Sequence, residues 1–209
     1  MVLRNLDTGV NTIVSEAAGN WQNDVAANGD VVYWGSAYQI FRYRQDSTTQ
    51  ITSDAGLWNT FPRTDGTNIV YRKHTPCCVN QEYQIAFYGA SGEIILTSPG
   101  PQEPAPGSNY QVNNGWVAFT KPGPGGQLQV WTRSPSGQLT QVSYFGTSSA
   151  IEALGPNGEM AFLNAKRYLS ISPYDTPPVV ISSTTAGRSF WQNGDLFLTL
   201  GRSLFQVVP

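Results

Sequence analysis

A short phrase recurs five times along the chain: Asn-Gly or Asp-Gly, followed within one or two residues by an apolar run. The copies are Asn28-Gly29-Asp30-Val31-Val32-Tyr33-Trp34, Asp65-Gly66-Thr67-Asn68-Ile69-Val70-Tyr71, Asn114-Gly115-Trp116-Val117-Ala118-Phe119, Asn157-Gly158-Glu159-Met160-Ala161-Phe162 and Asn193-Gly194-Asp195-Leu196-Phe197-Leu198. Asn and Gly accept the positive backbone angles of a tight hairpin, so each phrase reads as a turn feeding a buried strand. The turn glycines Gly29, Gly66, Gly115, Gly158 and Gly194 are 37, 49, 43 and 36 residues apart.

Between the phrases lies a second type of hairpin. Gln39 to Tyr43 is expected to pair with Thr49 to Ser53, Gln84 to Tyr88 with Glu93 to Thr97, Leu128 to Thr132 with Leu139 to Ser143, and Tyr168 to Ser172 with Val179 to Ser183. The cycle is strand, Asn/Asp-Gly turn, buried strand, loop, strand, polar turn, strand. A four-stranded unit of roughly 40–45 residues has the period of a β-propeller blade. A β-sandwich also spaces strands evenly, but gives no reason for one turn type to return at blade intervals. The chain opens with a strand pair, Val2 to Leu6 and Asn11 to Ser15, and closes with three strands, the last from Ser203 to Val208. The expected fold is therefore all-β: a propeller of four-stranded antiparallel blades over residues 1–209. Five blades are expected, closed by the N- and C-terminal strands; the alternative is part of a six-bladed ring.

Leu6-Asp7-Thr8-Gly9 with Ile13-Val14-Ser15, and the Asp65 to Tyr71 phrase, resemble the WD40-like repeats of TolB-type propellers. That resemblance implies a binding scaffold in the periplasm or outside the cell more often than an enzyme.

Composition narrows the function. Charged residues make up 12% of the 209, aromatics another 12%, and the formal net charge is −2. The three lysines, Lys73, Lys121 and Lys166, are scattered, so no basic stripe for nucleic acid or an anionic membrane is expected. No apolar run is long enough to span a bilayer. The first residues lack the apolar core of a signal peptide and begin mid-repeat, which suggests a mature or shortened chain.

In a propeller, the loops after second strands and before first strands share one face. Those loops are expected to hold a ligand site of Trp34, Trp58, His74, Tyr110, Lys121 and Arg188. Aromatic rings beside polar residues suit either a sugar or a protein partner. Trp21 and Trp58, each eight residues before a turn glycine, also suit a role as wedges between blades. Cys77-Cys78 reads first as a vicinal disulfide, second as free thiols and third as part of a metal site with His74. Adjacent cysteines lack the spacing of zinc ligands, and neither metal nor cofactor is expected.

His74 is the only histidine, and no Gly-x-Ser-x-Gly phrase accompanies it. Asp24, Asp54, Glu82, Glu103, Glu152 and Asp195 offer carboxylates for a rival reading, a glycosidase or lyase acting near the central channel. The Pro-rich stretch Ser98 to Gly107 reads as a stiff loop. The leading expectation is a non-catalytic module that binds protein or carbohydrate, with the carbohydrate-active enzyme and a structural domain of a longer surface protein as alternatives.

Overall fold

The computed structural model describes the chain except for residues 16–20, 77–80, 103, 105–108, 165–168, 173–178, 183–187, 193–194, 201–202 and 208–209. Cys77, Cys78, Glu103, Lys166, the fifth Asn-Gly turn and much of the Pro-rich stretch thus lie outside the described residues, as do the side chains of Trp21 and Arg188.

Among the described residues, twenty-one strands form antiparallel meanders, each strand bonded to its sequence neighbour within its own sheet. β1 (Val2–Arg4) and β2 (Asn11–Ile13) make a two-stranded hairpin. Four sheets of four follow: β3 (Trp21–Val25), β4 (Val31–Trp34), β5 (Ile40–Arg44) and β6 (Ser47–Gln50); then β7 (Trp58–Thr64), β8 (Ile69–His74), β9 (Tyr83–Gly89) and β10 (Gly92–Ile95). The third comprises β11 (Tyr110–Asn113), β12 (Trp116–Pro122), β13 (Leu128–Arg133) and β14 (Leu139–Gln141). The fourth comprises β15 (Ser149–Leu154), β16 (Met160–Asn164), β17 (Leu169–Ser172) and β18 (Val179–Ser182). A three-stranded sheet of β19 (Arg188–Gln192), β20 (Asp195–Leu200) and β21 (Ser203–Val207) comes last. Two compact units divide the chain, Met1–Glu103 and Pro104–Pro209.

Second strands open on apolar runs, and both their faces are covered. In the first unit, Val31 and Tyr33 of β4 pack with Leu3 and Val14 of the N-terminal segment. From the opposite face, Val32 meets Ile69, Tyr71 and Ala86 of the next sheet. In the second unit, Ala118 and Val130 pack against Ile151, Met160 and Phe162. The first strand of the following sheet lies across the first and second strands of the one before it, β7 against β3 and β4, and β15 against β11 and β12.

The four described Asn/Asp-Gly turns join first strands to second strands. Asn114 and Gly115 both have positive φ (49° and 82°) in a two-residue hairpin closed by Asn113 and Trp116. Around Gly29 and Gly158 the loops are longer: the glycine N–H donates three residues back, to Ala26 and Gly155 respectively, and only the glycine is left-handed. Gly158 is also held by packing, since a Cβ there would come 2.7 Å from the Trp116 ring.

The outer hairpins are tighter than the sequence reading. Arg44 pairs directly with Ser47 across a two-residue turn whose members, Gln45 and Asp46, are both left-handed (φ 47° and 59°). Without glycine, such a turn gives little sequence signal. Fourth strands end earlier than expected because a hydroxyl replaces the ladder. The N–H groups of Ile40, Ile85 and Val130 donate to Thr52 Oγ1, Thr97 Oγ1 and Ser143 Oγ at 2.9, 2.9 and 2.8 Å.

Beside each hydroxyl sits a glutamine at the start of a third strand, just before Ile40 of β5 or second in β9 and β13. Gln39 Oε1 accepts from Thr52 Oγ1 (2.8 Å), the Asp54 N–H (3.2 Å) and Asn59 Nδ2 (3.1 Å). Its Nε2 is directed at the carbonyls of Ala37 (3.2 Å), Asp54 (3.2 Å) and Leu57 (3.3 Å). Gln129 repeats the pattern with Ser143 Oγ (2.9 Å), the Phe145 N–H (3.1 Å) and the carbonyls of Phe145 (2.8 Å) and Thr147 (3.3 Å). Gln84 donates likewise to the Thr97 carbonyl at 3.3 Å. These amides carry the chain from one sheet to the next.

Gly158→Ala is expected to lose about 2 kcal/mol or more, the left-handed backbone costing about 1–2 kcal/mol and the Trp116 clash adding to it. Gly29→Ala, at φ 84° with open space around it, should lose only the backbone part. Urea unfolding of both variants checks this; equal losses would show that the Trp116 contact contributes nothing.

Candidate functional site

In the first unit, second strands end and first strands begin at the edge opposite the Asn/Asp-Gly turns. Four rings of intermediate exposure gather there: Trp34, Tyr38, Trp58 and Phe61. Trp34 is the last residue of β4, and Tyr38 closes a short 3-10 turn, Ser36–Tyr38, in which Ala37 and Tyr38 are left-handed (φ 57° and 55°). Trp58 opens β7. Tyr38 stacks on Trp58 with centroids 3.7 Å apart and planes 10° from parallel, and Trp34 stacks on Tyr38 from 5.2 Å at 20°. Gln39 bonds to the carbonyls just before Tyr38 and Trp58, so the interblade amide also fixes this stack.

Behind the rings, β8 is buried along its whole length although it carries Arg72, Lys73 and His74 in succession. Alternation sends the three polar side chains to two environments. Arg72 lies with its guanidinium carbon 4.0 Å from the Phe61 ring centroid and 5.4 Å from that of Tyr83. Its Nε donates to Thr60 Oγ1 at 3.1 Å, and Thr60 Oγ1 is 3.2 Å from His74 Nε2. His74 Nδ1 is 2.9 Å from the Thr75 carbonyl. A carbonyl only accepts, so Nδ1 bears the proton, and Nε2 is suited to accept from Thr60. Both ring nitrogens are engaged inside the protein; His74 is a structural member that also meets Trp58 edge-on at 5.6 Å.

On the other side, Lys73 Nζ reaches Glu93 Oε1 at 2.5 Å and Asp54 Oδ2 at 2.9 Å. The Tyr71 hydroxyl donates to Glu93 as well. Burial alone would lower the Lys73 pKa, but the hydrogen bonds it donates to Glu93 and Asp54 outweigh this and hold the ammonium above its ordinary value. Burial, with Glu93 next to it, pushes the Tyr71 hydroxyl well up.

The expected site residues divide between the units. Trp34, Trp58 and His74 come together. Tyr110, first residue of β11, is fully buried and belongs to the core. Lys121, on β12, holds its Nζ 3.5 Å over the Trp131 ring. Arg188 begins β19, its side chain outside the described residues. The residues that sequence reading missed are Tyr38, Phe61, Arg72 and Tyr83. A signal did exist: Tyr-Gln-Ile recurs at Tyr38-Gln39-Ile40 and Tyr83-Gln84-Ile85.

Of the carboxylates considered for catalysis, Asp24 accepts from the Thr64 N–H at 2.9 Å and pairs with Arg63 at 3.3 Å, tying β3 to β7. Asp54 meets Glu93 only through Lys73. Glu152 stands in a β-bulge of β15 with burial pushing its carboxyl up. No group of three potential metal ligands occurs among the described residues, and no described helix is long and apolar enough to cross a membrane, which says nothing of a β-barrel.

No family model matches the chain, and no curated protein matches its sequence. Solved structures do match in fold. The β-propeller domain of the Trilobed protease from Pyrococcus furiosus superposes with a TM-score of 0.63 at 10% identity, over 99% of this chain and 71% of that one. Pyrococcus horikoshii acylaminoacyl peptidase superposes with a TM-score of 0.61 at 9% identity, over 94% of this chain. An oligogalacturonate lyase in complex with manganese gives 0.53 at 9% identity, over 98% of this chain. The fold is a β-propeller. This propeller chain spans only 37% of the acylaminoacyl peptidase and 57% of the lyase, and at such identities the likeness concerns fold alone.

The raised pKa values of Tyr71 and Lys73 make stability depend on pH on the alkaline side. Each contributes stability that is complete below its unfolded value, near 10 to 10.5, and that is lost progressively as pH rises from there towards its folded value. Thermal melts from pH 8 to 11 should fall steeply above about pH 10 in the wild type, and less steeply in Tyr71→Phe. Parallel curves would mean that Tyr71 takes no part.

Proposed function

We propose that the chain is a non-catalytic binding module whose ligand face in residues 1–103 is the Trp34–Tyr38–Trp58 stack, and whose ligand is a segment of another protein. One observation carries this reading: the rings are partly exposed, yet their faces are occupied by each other. Tyr38 lies between Trp34 and Trp58, 5.2 and 3.7 Å away. A sugar ring docks on an open aromatic face, whereas a protein side chain gains from ring edges and the polar ends of Trp and Tyr. Partly exposed Trp and Tyr clusters are also where protein interfaces concentrate their binding energy. The TolB-like repeats support a periplasmic or extracellular setting.

The rival, glycan cleavage by carboxylates, has the meeting of Asp54 and Glu93 at Lys73 as its support. There the ammonium holds both carboxylates, an arrangement that stores charge rather than releasing a proton.

A phage-displayed library of twelve-residue peptides and a glycan array, each offered to the wild type and to Tyr38→Ala, separate these readings. Peptides enriched on the wild type should be captured at least tenfold less by Tyr38→Ala, with far-UV circular dichroism unchanged. Glycan capture without peptide capture would count against a protein ligand, and glycan turnover against a non-catalytic module.

A further inference from the structure

β7 does not pair evenly with β8. Thr60 is opposite Arg72 and Arg63 opposite Val70, so Phe61 and Pro62 together face Tyr71. This is a β-bulge, and bulges re-aim the side chains they carry. Phe61 sits in it with φ 55°, a left-handed conformation that an aromatic residue seldom adopts. Pro62 adds to the burden, because a following proline steers the residue before it towards extended backbone. Asn or Gly would occupy this position with far less strain.

The surroundings hold the ring where the bulge puts it. The Arg72 guanidinium lies 4.0 Å from the ring centroid on one side, and Arg72 is itself fixed by its bond to Thr60. Trp34 stands 6.2 Å away, its plane tilted by 33°. Phe61 nevertheless keeps intermediate exposure, as Trp34, Tyr38 and Trp58 do. β3 bulges too, at left-handed Gln22 (φ 43°), so the device recurs while the residue it displays changes from an exposed amide to an aromatic ring.

Strain of this kind persists where the neighbours over-determine it, and it collects at ligand-binding positions. We infer that Phe61 is a specificity-determining residue of the binding face, displayed by the bulge and braced by Arg72 to receive an apolar side chain of the protein partner. This rests on the binding-module reading. It adds the residue that reads the partner and the kind of side chain read.

Three variants test it: Phe61→Gly, Phe61→Ala and Phe61→Leu. Gly and Ala both remove the ring, so their difference reports the backbone. Phe61→Gly should melt about 2–4 °C above Phe61→Ala. An equal or lower melting temperature would remove the strain from the inference. For recognition, the probes are peptides enriched on the wild type from the twelve-residue library. Gly and Ala should capture them at least tenfold less, and reselection on Phe61→Leu should change the preferred apolar residue. Undiminished capture by Phe61→Gly, with capture lost in Tyr38→Ala, would overturn the role of Phe61 and leave the module reading standing. A wild type that enriches no peptide would remove the module reading and, with it, the ligand of Phe61. The melting comparison would then still decide whether the backbone is strained.

Discussion

The carboxamide of Gln39 is the contact on which the rest of the first unit depends. Where the chain leaves β6 and turns towards β7, its backbone N–H and C=O groups lose their strand partners at a crossing where Thr52 is buried and Asp54 and Leu57 are half-buried. A buried group left unpaired costs about 1–3 kcal/mol, so such a crossing needs a donor and an acceptor at one point. Gln39 supplies both: its oxygen gathers Thr52, Asp54 and Asn59, and its nitrogen faces the carbonyls of Ala37, Asp54 and Leu57. Two of those carbonyls directly precede Tyr38 and Trp58. The amide that joins two sheets therefore also sets the ring stack, and fold and candidate site share one anchor. Gln129 repeats the first task in the second unit.

Charge placement follows from the same packing. β8 could not bury Arg72, Lys73 and His74 in a row unless each found its partner outside the strand. Lys73 finds Asp54, delivered by the crossing loop that Gln39 holds, and Glu93 from β10. Arg72 and His74 share Thr60. Arg72 and His74 meet the rings of Phe61 and Trp58, while Lys73 ties Asp54 to Glu93.

Much of the scaffold was legible in the sequence. The Asn/Asp-Gly phrases sit between first and second strands wherever the structure describes them, and the apolar runs after them are buried on both faces, as at Val31 and Val32. The strands came out in the expected order. The Gln39–Thr52, Gln84–Thr97 and Gln129–Ser143 pairs were equally open to reading, at 13 or 14 residues' spacing, but a glutamine near the start of a strand gives no local sign of a partner that far along the chain. The site was only partly legible. Trp34, Trp58 and His74 could be assigned to one edge from topology. Tyr110 opens a first strand as Trp58 does, yet is fully buried. The Arg72-Lys73-His74 triplet resembles a polar strand end because its partners lie 12 to 20 residues away. Nothing local marks Phe61 as left-handed, since the residue type and the following proline both argue against it.

The most direct test of the shared anchor is the near-ultraviolet circular dichroism of Gln39→Leu. The Tyr38–Trp58 stack should collapse while the sheets persist, so the aromatic bands should weaken markedly with little change in the far-ultraviolet spectrum. Aromatic bands that match the wild type in a folded Gln39→Leu protein would contradict the claim that this one buried amide positions the site.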